Sequence, residues 1–143
     1  MQMIAERLKE QSGSFVTLDY GHVKSGYGDT LQALRKHQFD PVLAHPGEAD
    51  LTSHVDFEAL ASVAEKSGIT VNGMISQGDF LYGLGLPQRA NALAQKATPE
   101  QCAEIVQAVN RLAGNGKDDM GDLFKVLAVS SPNIALAPFK ASH

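Results

Sequence analysis

The strongest constraint on the fold of this chain is a short apolar segment near its N-terminus, residues 15–20. β-Branched and aromatic side chains dominate the segment, and Gly21 follows it, which is the pattern of a buried β-strand. A strand this apolar favours neighbouring strands on both of its sides. Asp19 lies at the carboxyl end of the predicted strand, the edge at which ligands bind in open parallel sheets.

Regular spacing of apolar residues predicts most of the remaining elements. Asp56 and Thr98 are expected helix N-caps, because their side-chain oxygens are able to accept a hydrogen bond from the first helical turn. The predicted helices are 1–12, 57–66, 77–85, 88–96 (separated from the previous helix by Pro87) and 99–113, and the further strands are 69–75, bulged at Gly73, and 123–129. A strand, a helix and a strand in this order predict an α/β sheet with a right-handed crossover.

Residues 22–55 are predicted to be a long, mostly irregular segment, because glycines and two prolines, Pro41 and Pro46, interrupt it. Only residues 30–34 fit a brief strand or a turn of helix. Irregular insertions of this length in a compact domain are usually lids or binding loops. We therefore expect functional residues in this segment and at its two ends.

Polar side chains are concentrated at those ends, in the sequences LDYGH at 18–22 and DLTSHVDF at 50–57. Loops placed by a rigid scaffold carry many binding and catalytic residues, and a histidine that titrates near neutral pH is suited to orient or deprotonate a nucleophile. The candidate catalytic residues are Asp19, Tyr20, His22, Asp50 and His54, and the candidate substrate-binding residues are Arg35, Thr52 and Asp56. Asp19 is equally suited to bind a backbone amide. Asp56 fits better as the cap of the following helix than as a substrate ligand.

Metal binding is not expected. His22, His45, His54 and Asp50 are possible ligands, but no pair of them has the spacing of a helical HExxH or a paired CxxC motif. The single cysteine, Cys102, is expected to be a small buried hydrophobic residue of a protein in a reducing compartment.

Charge and hydropathy exclude two classes of partner. The net charge is −4 and the basic residues are scattered, so no basic surface is expected to bind nucleic acid. No apolar run approaches the length of a membrane span, and the first ten residues lack the apolar core of a signal peptide. A cytoplasmic protein without a membrane partner is therefore expected.

The two polar sequences belong to a longer ordered pattern. It includes GDTLQALRKHQFDPVLAHPGEADLTSHVDF at 28–57, QGDFLYGLGL at 77–86 and MGDLFKVLAV at 120–129. Over about residues 15–132, this pattern resembles the C-terminal half of the MidA-type, or DUF185, class I S-adenosylmethionine-dependent methyltransferases. The resemblance implies part of a Rossmann-like sheet in which 15–20, 69–75 and 123–130 are core strands. It places the last strand antiparallel between the other two and makes 77–114 a helical insertion.

The resemblance also implies a function. The methyltransferase of mitochondrial complex I assembly belongs to this family, which implies S-adenosylmethionine as the cofactor and methylation of a protein arginine linked to respiratory complex I assembly. Carboxylates pair bidentately with a guanidinium, so Asp19, Asp50 and Asp56 are the acids expected near such a substrate.

The sequence departs from the family pattern in one respect. The glycine-rich turn and the ribose-binding acid of the family have no counterpart in these residues, since the only similar turn, GYG at 26–28, has no helix start after it. Cofactor-binding residues are therefore expected upstream of Met1. The isolated chain is expected to be inactive, and to associate with a missing N-terminal half or as a homodimer. The alternative is a non-catalytic dimerising or partner-binding module derived from the same fold.

Overall fold

The computed structural model describes residues 1–117 and 119–139 of the chain. Five helices and seven strands lie in this part. The helices are α1 (Gln2–Glu10), α2 (Phe57–Lys66), α3 (Gln77–Gly83), α4 (Leu86–Ala94) and α5 (Pro99–Ala113). The strands are β1 (Ser14–His22), β2 (Gln32–Arg35), β3 (Gln38–Asp40), β4 (Asp50–Thr52), β5 (Val55–Asp56), β6 (Thr70–Ser76) and β7 (Phe124–Ser130).

The central sheet has the strand order β5-β1-β7-β6. β7 runs antiparallel to both of its neighbours, pairing Ser14–Tyr20 of β1 on one side and β6 on the other. This confirms the expected α/β class, with the last strand inserted antiparallel between the first and second core strands. The register of β6 shifts between Val71 and Gly73, at the bulge predicted from the glycine.

The core lies on both faces of β7, whose residues from Val126 to Ser130 are all fully buried. Helices α1 and α2 cover the face of Leu127 and Val129, where Phe57 is also fully buried. Alternation along the strand directs Val126 and Ala128 to the opposite face. That face is covered as well, since α3 contacts β6 and β7 and the ring of Phe139 lies against Gly73.

The helical insertion differs from its prediction at Pro87. This residue does not separate two helices but lies in the first turn of α4, where a proline costs nothing because the first backbone N–H groups have no helical acceptor. The break falls at Gly85, which has a positive φ of 92°. Cys102 of α5 is half-buried rather than fully buried, with its thiol 3.8 Å from the carbonyl oxygen of Ala94.

The prediction of an irregular segment at 22–55 is wrong, because β2, β3 and β4 form a second, antiparallel sheet with β2 in its centre. β2 and β3 are joined by a two-residue turn at Lys36 and His37, with φ of 52° and 62°. Two positive φ angles are typical of the tight hairpin turns that usually carry Asn-Gly. Lysine and histidine gave no such signal, and the hairpin was missed.

Gly21 determines how closely β1 approaches the start of α2. A Cβ atom at Gly21 would lie 2.6 Å from Cε2 of the Phe57 ring, and overpacking of this kind typically costs about 1–3 kcal/mol. We expect Gly21→Ala to lower the free energy of unfolding by that amount in a urea titration.

Gly28→Ala is the matched control, because a Cβ there meets nothing within 4 Å. Its unfolding free energy is expected to remain within about 0.5 kcal/mol of the original. Equal losses in the two variants would contradict the close approach at Gly21.

Candidate functional site

The candidate site lies at the carboxyl end of β1, where β5 joins the central sheet. Gly21 pairs with Val55 and His22 pairs with Asp56, in a parallel ladder of two residue pairs. The imidazole rings of His22 and His54 have centroids 6.5 Å apart. The fold therefore brings together the two polar sequences that the long segment separates in the chain.

Asp56 is the N-cap of α2 and also holds the segment that follows β1. Its Oδ1 accepts a hydrogen bond from the backbone N–H of Ala59 at 3.0 Å, and its Oδ2 accepts one from the Ser25 hydroxyl at 2.7 Å. The Ala59 N–H, then the Ser25 hydroxyl, and to a lesser degree the charge of His22, lower the pKa of Asp56 below its ordinary value of 3.8. Asp56 is therefore ionised at neutral pH. Its role in substrate binding stays a prediction.

Ser25 and Glu58 are the site residues that sequence reasoning missed. The backbone N–H of Ser25 donates to Oε2 of Glu58 at 2.7 Å, in addition to the hydroxyl bond with Asp56. The available signal for Glu58 was its position in the first turn of the helix that Asp56 caps, since helix N-termini favour negative charge. These bonds border an open depression of about 330 Å³, lined by His22, Lys24, Gly26, Tyr27, Gly28, Thr30 and Asp56.

Asp19 and Tyr20 lie on opposite faces of β1, because side chains alternate along a strand. Asp19 is exposed, and its Oδ1 accepts a hydrogen bond from the Tyr20 backbone N–H at 2.8 Å. The Tyr20 ring packs on Phe124 of β7, with ring centroids 4.3 Å apart. Tyr20 and His22 share a face, and the fold directs Asp19 away from them.

The remaining candidates lie on the second sheet. Arg35 forms an ion pair with Glu48 at 2.7 Å. Asp50 is exposed and Thr52 half-buried, and both belong to β4, which ends two residues before His54. His45 pairs with Asp40, with Nδ1 2.7 Å from Oδ2, and so is engaged in this sheet rather than at the His22–His54 pair.

Neither a metal ligand set nor a membrane helix is found in the part of the chain that the structure describes. Over residues 1–117 and 119–139, no three His, Cys, Asp or Glu side chains are grouped closely enough to hold a metal ion. Over the same residues, no helix combines the length and the apolar character needed to span a bilayer.

The described residues do not by themselves fit an S-adenosylmethionine molecule. β1 ends at His22 and the next element, β2, begins at Gln32, so the GYG turn at 26–28 has no helix N-terminus behind it. Without that helix start, the turn lacks the converging backbone N–H groups that such loops present to a ligand.

A mixed sheet with an inserted antiparallel last strand and polar residues at the carboxyl end of β1 is part of a Rossmann-like α/β fold of the methyltransferase type. A family model described as "Putative S-adenosyl-L-methionine-dependent methyltransferase" matches residues 1–75. The chain belongs to this family, which confirms the resemblance found in the sequence.

Curated relatives support the same assignment. The chain is 33% identical over 129 residues to "Protein arginine methyltransferase NDUFAF7, mitochondrial" of Danio rerio. This match covers 90% of the chain and 30% of the relative. The chain is 34% identical over 128 residues to the homologue of Drosophila melanogaster, covering 89% of this chain and 29% of that protein. The chain thus spans less than a third of the length of these relatives. The expected cytoplasmic location is wrong, because both relatives are named as mitochondrial proteins.

Two crystal structures of proteins from Burkholderia thailandensis share the fold. One has a TM-score of 0.75 and 26% identity, and the match covers 96% of this chain and 40% of that protein. The other is bound to S-adenosyl-homocysteine, with a TM-score of 0.71 and 29% identity over 92% of this chain and 36% of that protein. S-adenosylmethionine is therefore the cofactor of the family.

Asp56 makes the stability of the fold depend on pH in a defined direction. Its pKa is lower in the folded chain than in the unfolded chain, so its contribution is complete above the ordinary pKa of 3.8 and is lost as the pH falls through the lowered value. We expect Asp56→Ala to destabilise the chain at neutral pH, and the difference from the original to shrink at about pH 3. Urea unfolding at the two pH values measures both effects.

Asp56→Asn is the matched variant, because asparagine keeps a capping oxygen without the charge. It is expected to retain most of the neutral stability and to lose the part of the pH dependence that comes from Asp56. Identical pH profiles for Asp56→Asn and the original chain would contradict the role given to the ionised carboxylate.

Proposed function

We propose that this chain is the substrate-side part of an S-adenosylmethionine-dependent methyltransferase that modifies a protein arginine, in the context of respiratory complex I assembly. The observation that carries the proposal is the family match at residues 1–75 together with the structural match to a relative bound to S-adenosyl-homocysteine. The names of the curated relatives, protein arginine methyltransferases, support the choice of substrate. The link to complex I rests on the resemblance in the sequence.

The paired histidines are the proposed proton acceptors. An arginine side chain is protonated at all physiological pH values, so its methylation must release a proton to a base within reach. His22 and His54 have ring centroids 6.5 Å apart, and neither is fully buried. Asp56 and Ser25 position them by tying the segment after β1 to the start of α2.

A chimera tests this proposal. The segment of the Danio rerio relative that aligns with this chain is replaced by residues 1–143, and radiolabelled methyl transfer from S-adenosylmethionine to protein arginine is measured. We expect transfer by the chimera. We expect no binding heat when the isolated chain is titrated with S-adenosyl-homocysteine to about 1 mM, because its residues do not fit the cofactor.

Variants of the chimera assign the base. His22→Gln and His54→Gln are expected to lower kcat by about 100-fold, and His37→Gln, on the exposed turn of the second sheet, is the control that leaves kcat unchanged. A chimera that folds and binds S-adenosyl-homocysteine but transfers no methyl group would refute the proposal. Tight cofactor binding by the isolated chain would refute the assignment to the substrate side.

A second candidate function is a dimerising or partner-binding module. Among the described residues, no strand pairs with Ser14–Tyr20 on the edge of β1 away from β7, because β5 reaches only Gly21 and His22. Val16, Leu18 and Tyr20 on this strand remain 38–43% exposed. An open apolar edge pairs readily with another strand, which here is either a second copy or the remainder of a longer protein.

The module proposal predicts self-association of the isolated chain through this edge. Sedimentation of the purified chain at about 10 μM is expected to show a dimer, and Val16→Lys to return a monomer by adding a charge to the edge strand. Val63→Lys is the matched control, because Val63 of α2 is 37% exposed against 38% for Val16. A monomer at every concentration would exclude the homodimer.

A further inference from the structure

The small sheet has two faces whose residues follow from its register. Side chains directly opposite each other on neighbouring strands point to the same face. Ala33 lies opposite Asp40 and Leu51, and its face also carries Arg35. Leu34 lies opposite Phe39 and Asp50 and belongs to the other face.

Two ion pairs tie the segment between β3 and β4 to the face of Ala33. Nη2 of Arg35 lies 2.7 Å from Oε2 of Glu48, and Nδ1 of His45 lies 2.7 Å from Oδ2 of Asp40. The side chains of Arg35 and Asp40 both point to the face of Ala33, and Ala33 itself is only 1% exposed. Residues 41–49 are therefore tied to the part of this face around Ala33, while Leu51 on the same face stays 59% exposed.

The face of Leu34 presents an aromatic, an aliphatic and a carboxylate side chain in one row across three strands. Phe39 is 77% exposed, Leu34 is half-buried and Asp50 is exposed. Within residues 1–117 and 119–139, Asp50 forms no ion pair with Lys, Arg or His. Since neighbouring strands are about 4.8 Å apart, the row from Phe39 to Asp50 spans about 10 Å. We call Phe39, Leu34 and Asp50 the docking row.

We propose that the docking row binds a segment of the protein substrate in which an arginine lies close to an apolar residue. Charge complementarity favours a positively charged side chain as the ligand, because the one carboxylate of the row, that of Asp50, is exposed to solvent beside apolar side chains. A guanidinium suits this setting better than an ammonium, since it is weakly hydrated and pairs bidentately with a carboxylate. The arginine methylenes cover Leu34, and the neighbouring apolar residue packs on Phe39.

The position of the row relates it to the candidate site. Asp50 precedes His54 by four residues, a distance of at most about 14 Å along an extended chain. The paired histidines are therefore within reach of a segment of several residues that is held on the row. This inference rests on the proposed function, since it assigns the row to the substrate of that same site.

Titration of the isotope-labelled chain with a peptide tests the docking row. The probe is an acetylated and amidated pentapeptide, Gly-Arg-Gly-Leu-Gly, and its versions carry lysine or citrulline in place of arginine. Amide signals of β2, β3 and β4 are expected to shift. The arginine peptide is expected to bind about threefold more tightly than the citrulline peptide, the size of an exposed ion pair.

Two pairs of variants make the result specific. Phe39→Ala and Asp50→Asn are each expected to weaken binding by about threefold. Leu51→Ala removes a residue that is 59% exposed on the opposite face, and Asp122→Asn removes an exposed carboxylate elsewhere. Both controls are expected to leave the affinity unchanged.

Several outcomes would overturn the docking row. The first is an absence of amide signal shifts at about 10 mM peptide, and the second is an equal loss of peptide affinity on Leu51→Ala. The third is dimerisation of the chain that Phe39→Ala abolishes, which would identify a second copy as the occupant. The methylating chimera separates this inference from the proposed function. If the chimera transfers methyl groups and neither Phe39→Ala nor Asp50→Asn changes its KM for the peptide, the docking row alone is refuted. If the peptide binds specifically but the chimera transfers no methyl group, the proposed function alone is refuted.

Discussion

The insertion of β7 between β1 and β6 is the interaction on which the rest of the structure depends. It joins two strands that are not paired with each other, and its residues from Val126 to Ser130 are removed from water. Polar groups at its end are satisfied, since Ser130 Oγ accepts from Asn72 and donates to the Ile134 carbonyl. The Ser131 hydroxyl donates to the Leu8 carbonyl at 2.7 Å and so fixes α1 to the sheet. Hydrophobic burial and hydrogen bonding thus act on the same strand.

The position of β1 then determines the candidate site. β7 holds β1 up to Tyr20, and beyond that point Gly21 and His22 pair with β5 instead. The carboxyl end of β1 and the start of α2 are thereby held side by side, with Asp56 serving as strand partner, helix cap and acceptor for Ser25. One ionised carboxylate stabilises the helix and orders the segment beside the paired histidines, so stability and site geometry are coupled.

Membership of the family explains why the chain looks like part of a larger sheet. It matches 30% of the Danio rerio relative and 40% of a Burkholderia thailandensis structure. Within the residues that the structure describes, no strand pairs with one edge of β1 over Ser14–Tyr20. The described residues contribute the four strands of the central sheet and a second, three-stranded sheet, but they do not by themselves fit a cofactor.

The sequence alone determined the features that depend on neighbours in the chain. The Thr98 and Asp56 caps and the bulge at Gly73 all follow from local residue types. The placement of β7 came from the family resemblance, not from any local signal. Tertiary structure alone decided that the rings of His22 and His54 lie 6.5 Å apart and that β2, β3 and β4 form a sheet. The hairpin of β2 and β3 has its turn at Lys36 and His37, and neither residue is the glycine or asparagine that signals a positive φ. Register and strand pairing bring together residues that are distant in the chain, and no short pattern in the sequence encodes those contacts.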